Sequence, residues 1–101
     1  MRLALVLTLA AGLLAGGTAL AKDPGPGGRL AAACAICHGT AGQAATRDVA
    51  PLAGLPKDHI ATQMKAFRDG TRTATVMHQI AKGYSDEQIE QLAAWFAAQK
   101  R

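Results

Sequence analysis

The chain has 101 residues with 11 basic and 7 acidic side chains, and its formal net charge at pH 7 is +4. This length accommodates one small domain, which excludes a multidomain enzyme, a P-loop nucleotidase and a dinucleotide-binding domain. The bases are scattered and form no dense block, so the composition gives no support for nucleic-acid binding.

The first 21 residues have the pattern of a secretory signal peptide. Arg2 provides a basic start, residues 3–21 carry no charged side chain, and small residues precede a cleavage site after Ala21. Cleavage would leave residues 22–101 with a net charge of +3, because ten bases and seven acids remain. An uncleaved membrane anchor is the alternative, but glycines interrupt the apolar segment. We expect a cleaved signal peptide, export to the bacterial periplasm and no stable membrane insertion afterwards.

The remaining chain is predicted to consist of a leader and one domain. Residues 22–28 are rich in proline and glycine and predict a flexible leader. The domain then covers residues 29–101, and its alanine-rich beginning at 29–37 predicts a short helix that ends at two cysteines. Glycines and Pro51 predict a long loop over residues 39–55. Loops of this length in compact domains are usually functional or wrapped around something.

Two helices are predicted between this loop and the last helix. The first begins near Pro56, which suits the opening position of a helix, and ends at Gly70, which suits a C-terminal cap. Its apolar side chains recur at helical spacing on one face, namely Ile60, Met64 and Phe67. The second is short and covers residues 75–82.

The last helix has the clearest pattern in the sequence. Ser85 and Gln88 have the spacing of a capping box, and two acidic residues occupy the first turn, where they complement the helix macrodipole. Apolar side chains then recur at helical spacing, namely Ile89, Leu92, Ala93 and Phe96. No segment shows the alternation of β-branched and polar residues that a strand requires. The sequence therefore predicts an all-α fold of about four helices.

Two cysteines and a histidine carry the functional prediction. Cys34 and Cys37 lie three positions apart, a spacing that allows both thiols to add to the two vinyl groups of one haem. His38 follows directly and is placed to ligate the iron. Thioether attachment requires an oxidising compartment outside the cytoplasm, and the predicted signal peptide directs the chain there. We predict one covalently bound haem c.

Three other uses of the cysteines are less well supported. A disulfide between Cys34 and Cys37 would close a very small loop and would leave His38 without a role. A thioredoxin-like dithiol requires a preceding strand, which the sequence lacks. A zinc site requires further ligands at matching spacing, and the chain has only these 2 cysteines.

A sixth iron ligand is expected from the two methionines outside the predicted signal peptide. Met77 follows a polar segment that can carry it across the distal face of the haem, whereas Met64 lies in an apolar helical stripe and is expected in the core. Either His59 or His78 would give a bis-histidine site, although we expect both to be surface or hydrogen-bonded histidines. We predict His38 and Met77 as the axial ligands. An open distal site would instead indicate a haem sensor or a ligand-binding module.

The loop over residues 39–55 also offers a partner for the histidine. A metal-bound histidine usually donates its second ring N–H to a carbonyl, which fixes the orientation of the ring. A carbonyl of this loop, such as that of Pro51, is expected to accept this hydrogen bond from His38. The alternative is that Pro51 only forms a turn.

These features together resemble a class I c-type cytochrome. The resemblance rests on residues 34–39 (Cys-Ala-Ile-Cys-His-Gly), residues 51–54 (Pro-Leu-Ala-Gly), Met77 and the final amphipathic helix. It covers essentially all of the chain after the predicted signal peptide. It implies three to five helices around one haem with histidine and methionine ligation, as in short cytochromes of the c4 and c553 type.

Residues 75–85 (Thr-Val-Met-His-Gln-Ile-Ala-Lys-Gly-Tyr-Ser) are similar to the cytochrome subunit of flavocytochrome c sulfide dehydrogenase, in a monohaem form because the chain has one attachment motif. This resemblance implies that the haem takes electrons from a FAD-containing flavoprotein subunit that oxidises sulfide. The electrons would then pass to an acceptor cytochrome or a membrane complex, and this chain would have no catalytic residue of its own. The alternative is a free-standing c4- or c553-like carrier between periplasmic or membrane complexes.

Overall fold

The computed structural model of the chain describes residue 17 and residues 21–101. The predicted signal peptide therefore lies almost entirely outside the described residues. The α-helices of the described part are α1 (Gly25–Ala31), α2 (Ala35–His38), α3 (Lys57–Asp69), α4 (Met77–Ala81) and α5 (Asp86–Ala97). Two 3-10 turns, at Ala32–Cys34 and Thr40–Gly42, flank α2. The all-α prediction is confirmed, with the first predicted helix divided into α1, a 3-10 turn and α2.

Helix α1 begins at Gly25, which corrects the prediction of a flexible leader over residues 22–28. Proline does not prevent a helix here, because Pro26 lies in the first turn, where the backbone N–H has no partner inside the helix. The Asp23 carboxylate accepts hydrogen bonds from the Gly25 N–H at 2.8 Å and from Arg29 Nη1 at 2.7 Å. The side chain of Asp23 therefore holds the first turn in place.

Two glycines of α1 allow it to pack closely on α5. Gly28 is buried, and a Cβ atom added there would lie 2.7 Å from Nε1 of Trp95. A Cβ atom at Gly27 would lie 3.1 Å from the carbonyl carbon of Gln91. Distances this short leave no room for a side chain, so the glycines are required by tertiary packing.

Helix α3 has the predicted ends. Pro56 immediately precedes it, and Gly70 ends it with a φ of 79°, a left-handed conformation that favours glycine. The N–H of Gly70 donates to the carbonyls of Ala66 and Phe67, which satisfies acceptors left open at the end of the helix. Helix α4 is shorter than the predicted 75–82.

The capping box of α5 is confirmed in both of its hydrogen bonds. The N–H of Gln88 donates to Oγ of Ser85 at 3.2 Å, and the N–H of Ser85 donates to Oε1 of Gln88 at 3.0 Å. This reciprocal pair fixes the first turn of α5 and begins the helix at Asp86. The local sequence alone is sufficient to determine this helix start.

The hydrophobic core lies where α5 meets α1 and α3. Its largest fully buried side chains are Phe96, Ile89 and Leu92, all from the apolar face of α5. Helix α3 contributes the other large side chains, Ile60 and Met64, and α4 packs mainly against α3. The remaining core residues are alanines, namely Ala31, Ala61, Ala81 and Ala93. Helix α5 is therefore the element on which both α1 and α3 pack.

Ion pairs on the surface join α3 to α5. Glu90 accepts from Nζ of Lys65 at 2.9 Å and from Nζ of Lys57 at 3.2 Å, while Nη1 of Arg68 lies 2.6 Å from Oδ1 of Asp86. Hydrogen bonding to Lys65, and then to Lys57, lowers the pKa of the Glu90 carboxyl. The bond from Arg68 lowers the pKa of Asp86 in the same way.

We expect the substitution Ile89→Ala to destabilise the holoprotein by about 2–5 kcal/mol, because it removes buried methyl groups and leaves a cavity. Ile89 has an exposed fraction of 0%. Chemical denaturation followed by circular dichroism measures the change. The matched control is Thr62→Ala, because Thr62 is an exposed β-branched residue of α3 and its substitution should change stability by less than about 0.5 kcal/mol. Equal losses in the two variants would contradict the proposed core.

We expect the substitution Glu90→Gln to weaken the dependence of the melting temperature on acid pH. A carboxyl whose pKa is lowered by folding stabilises the protein above its ordinary pKa, and this contribution is lost as the pH falls through the folded-state value. The variant lacks this contribution at neutral pH and so loses less on acidification. Melting curves between about pH 7 and pH 3 test this expectation. The control is Glu87→Gln, which replaces an exposed acid of the same helix. An identical pH dependence of the melting temperature in the unsubstituted protein and in both variants would contradict the expectation.

Candidate haem-binding site

The two cysteines and the histidine of the motif lie at the end of the first helical segment. Cys34 ends a 3-10 turn, and Cys37 and His38 occupy the last two positions of α2. Both thiols are free; Cys37 is exposed, whereas Cys34 is half-buried and packs against the core. This burial raises the pKa of the Cys34 thiol, so the thiol form is favoured there.

Gly39 turns the chain immediately after the histidine. Its φ of 81° and ψ of 166° are available to glycine and strongly disfavoured for other residues. A Cβ atom at Gly39 would lie 2.7 Å from the carbonyl carbon of Gln43, so a side chain would also collide with the loop. This turn ends α2 at His38 and leads the chain into the following 3-10 turn.

The ring of His38 is held by a hydrogen bond to the loop. Its Nδ1 lies 2.7 Å from the carbonyl oxygen of Ala50. A carbonyl can only accept, so Nδ1 carries the proton and donates it, and Nε2 keeps its lone pair. An unprotonated Nε2 is the form of imidazole that binds a metal, and the hydrogen bond increases its basicity.

The acceptor is Ala50, which corrects the sequence-based choice of the Pro51 carbonyl by one residue. The proline still contributes, because it restricts the residue before it to extended backbone conformations. The N–H groups of Leu52 and Ala53 both donate to the carbonyl of Gly42, at 2.9 and 3.1 Å. These bonds tie the segment after the proline to the chain that follows His38.

The two methionines differ in their surroundings. Met64 is 7% exposed and belongs to the core, as the helical stripe predicted. Met77 is the first residue of α4 and is half-buried at the edge of the same core. Its thioether is therefore the more accessible of the two sulfur donors.

The other two histidines also differ from each other. His59 is exposed on α3, as expected for a surface residue. His78 is half-buried beside Met77, and its Nδ1 is buried without a hydrogen-bond partner among the described residues. The expectation that His78 is a surface or hydrogen-bonded histidine is therefore wrong at this nitrogen. Burial of one ring atom depends on tertiary contacts that the sequence pattern does not reveal.

Tyr84 is a further residue near the motif that sequence reasoning did not place there. Burial raises the pKa of its phenol, and the nearby Cys34 thiolate would raise it further. Tyr84 and Cys34 both pack against the hydrophobic core. No local signal predicts that these two residues, which are far apart in the chain, share this core.

The residues present fit a covalently bound haem. Two thiols have the attachment spacing, an imidazole has its Nε2 lone pair free, and a thioether lies at the start of α4. Nitrogen and sulfur donors of this kind suit haem iron. Partly buried apolar side chains pack against the same core as Cys34 and Met77, namely Leu30, Leu52, Leu55, Phe67 and Tyr84.

Comparisons with known proteins agree with this chemistry. Residues 26–96 match the family described as cytochrome C oxidase, cbb3-type, subunit III. The match covers more than half of the chain and includes every residue of the motif as well as Met77.

Three characterised relatives are similar to the chain. It is 35% identical over 96 residues to cytochrome c4 of Pseudomonas aeruginosa, covering 95% of this chain and 46% of that protein. It is 39% identical over 67 residues to the cytochrome subunit of sulfide dehydrogenase of Chlorobaculum tepidum, covering 66% of this chain and 60% of that protein. Cytochrome c-554(548) of Halomonas halodenitrificans is 35% identical over 83 residues, covering 79% of this chain and 100% of that protein.

The chain spans less than two thirds of the length of the first two of these relatives. The helical fold and the family match agree with the expectation of a class I cytochrome c fold. With residues 26–96 matched and c-type cytochromes among its relatives, the chain belongs to this cytochrome c family, and its cofactor is covalently bound haem c.

Proposed function

We propose that Cys34 and Cys37 attach the haem and that His38 and Met77 are its axial ligands. In each attachment the thiol adds across a vinyl group, so that a carbon–sulfur bond forms and the thiol hydrogen passes to the other vinyl carbon. The exposed Cys37 and the half-buried Cys34 would then hold the haem against the edge of the core.

The observation that carries this proposal is the hydrogen bond from His38 Nδ1 to the Ala50 carbonyl. It assigns the ring proton to the nitrogen that faces the loop and leaves Nε2 as the donor. A haem iron held by one nitrogen and one thioether sulfur accepts and releases single electrons, and a thioether ligand raises its reduction potential. With His38 and Met77 both holding the iron, the site would suit electron transfer and would leave no open position for exogenous ligands.

We expect Met77→Ala to abolish the methionine–iron charge-transfer band of the oxidised protein and to let the reduced protein bind carbon monoxide. Met64→Ala should keep the band, because Met64 is a core residue, and should destabilise the protein by about 2–5 kcal/mol. Absorption spectra of the two purified holoproteins measure both effects. Loss of the band in Met64→Ala alone would overturn the ligand assignment. Carbon monoxide binding to the unsubstituted protein at neutral pH would support the alternative of a haem sensor.

We further propose that the chain is the haem subunit of a sulfide-oxidising flavocytochrome. Residues 75–85 resemble that family, and a relative named as the cytochrome subunit of sulfide dehydrogenase is 39% identical over 67 residues. In this role the haem receives single electrons from a FAD-containing subunit that oxidises sulfide, and an acceptor cytochrome or membrane complex takes them on. The chain itself makes and breaks no substrate bond.

A free-standing electron carrier is the second candidate, and a specific observation favours it. The similarity to cytochrome c-554(548) extends over 100% of that protein, so a chain of about this size exists as a separate cytochrome. For either role we propose the periplasm, on the basis of the predicted signal peptide. No helix within residues 21–101 is long and apolar enough to cross a bilayer.

Gentle purification of the native protein distinguishes the two roles. For the flavocytochrome role we expect flavin and haem to elute together at a fixed ratio in gel filtration, and sulfide to bleach the flavin and reduce the haem in that peak. In moderate salt the haem should stay in this peak and should not elute at the size of a smaller protein. Haem that elutes alone at the size of one small domain would refute the subunit role and support the carrier.

A further inference from the structure

The loop that carries Ala50 is attached to the end of α5 as well as to the segment after His38. The N–H of Gly54 donates to the carbonyl of Phe96 at 2.9 Å. Gly42, whose carbonyl accepts from the N–H groups of Leu52 and Ala53, is also packed against α5. A Cβ atom at Gly42 would lie 2.9 Å from Cδ1 of Phe96. Phe96 is 1% exposed, so the loop is anchored to the rigid core.

Residues 99–101, which we call the strap, cross this loop after α5 ends. Nε2 of Gln43 donates to the carbonyl of Lys100 at 3.1 Å. Nη2 of Arg101 lies 3.5 Å from the carbonyl of Gly54, and a Cβ atom at Gly54 would lie 2.7 Å from Cγ of Arg101. The strap therefore contacts the chain on both sides of Ala50.

A cavity of about 470 Å³ lies between the loop and the strap. Neither cysteine nor His38 lines it. Its walls are formed by Gly42, Gln43, Ala44, Pro51, Ala53, Leu55 and Arg101. Gln43 and Arg101 are the polar side chains of this lining, and their contacts with Lys100 and Gly54 join the strap to the loop. Pro51 is a wall of the cavity and directly follows Ala50, so movement of this wall moves the carbonyl that holds His38.

We infer that Gln43 is a positioning residue that, together with the strap, sets the strength of the hydrogen bond from His38 to Ala50. The inference rests on the proposed role of His38 as an iron ligand. A shorter Nδ1–H···O bond makes the imidazole a stronger donor, which stabilises oxidised iron and lowers the reduction potential. Loosening the loop lengthens this bond and raises the potential. The strap thus acts on the haem through two intermediates, the loop and the histidine.

The test uses the holoprotein with haem c attached and compares Gln43→Met with Gln91→Met. Both substitutions replace a glutamine by an apolar side chain of similar length, and neither changes the net charge. Gln91 lies on α5 beside Gly27, away from the loop. We expect Gln43→Met to raise the reduction potential and to speed hydrogen exchange at the His38 ring N–H and the Gly54 amide. Gln91→Met should leave all three quantities unchanged.

A lower melting temperature of Gln43→Met with an unchanged potential and unchanged exchange at His38 would overturn the inference, since the strap would then be only structural. No change in any quantity would overturn it as well. If Gln43→Met yields no holoprotein, Gln43→Asn keeps a polar side chain that is too short to reach Lys100, and the same outcomes apply. Failure of the proposed ligation is distinguishable, because the ring protons of His38 would then lack the ring-current shift of a haem-bound imidazole in the NMR spectrum of the reduced, unsubstituted protein, before any variant is made.

Discussion

The hydrogen bond between the His38 ring and the Ala50 carbonyl is the contact on which the geometry of the site depends. A neutral imidazole has two nitrogens and one N–H proton, so one nitrogen carries the proton and only the other can bind a metal. Here the Ala50 carbonyl of the loop selects Nδ1 as the protonated nitrogen. The loop is in turn hydrogen-bonded to the carbonyls of Gly42 and Phe96. The chemistry of one side chain is thus fixed by the buried end of α5.

Helix α5 has this influence because both α1 and α3 pack on it. The glycines of α1 allow its close approach, which brings the cysteines to the edge of the core, and α3 in turn supports α4. The half-buried Cys34 and Met77 both lie against the resulting cluster. A domain as small as the one formed by α1 to α5 has little room for more than one such cluster, so the same apolar side chains serve the fold and the site.

Features that depend on neighbours in the sequence were predictable, and features that depend on tertiary contacts were not. The ends of α3 at Gly70 and of α5 at Ser85 follow from capping chemistry within one turn. The start of α1 was missed because its glycines reflect contact with Trp95 and not a flexible chain. The motif at Cys34 predicted the donor set, but no side chain marks Ala50, because a backbone carbonyl is present in every residue.

The position of Met77 has a consequence for how the fold is held together. Helix α4 has five residues, too few to persist in water alone, and it packs mainly against α3. In the proposed ligation, with His38 and Met77 on one iron, the intervening chain becomes a closed loop that contains the whole of α3. Such a cross-link restricts the unfolded chain and favours the folded state. Oxidation of the methionine sulfur or loss of the iron would reopen that loop and remove this restriction on the unfolded chain.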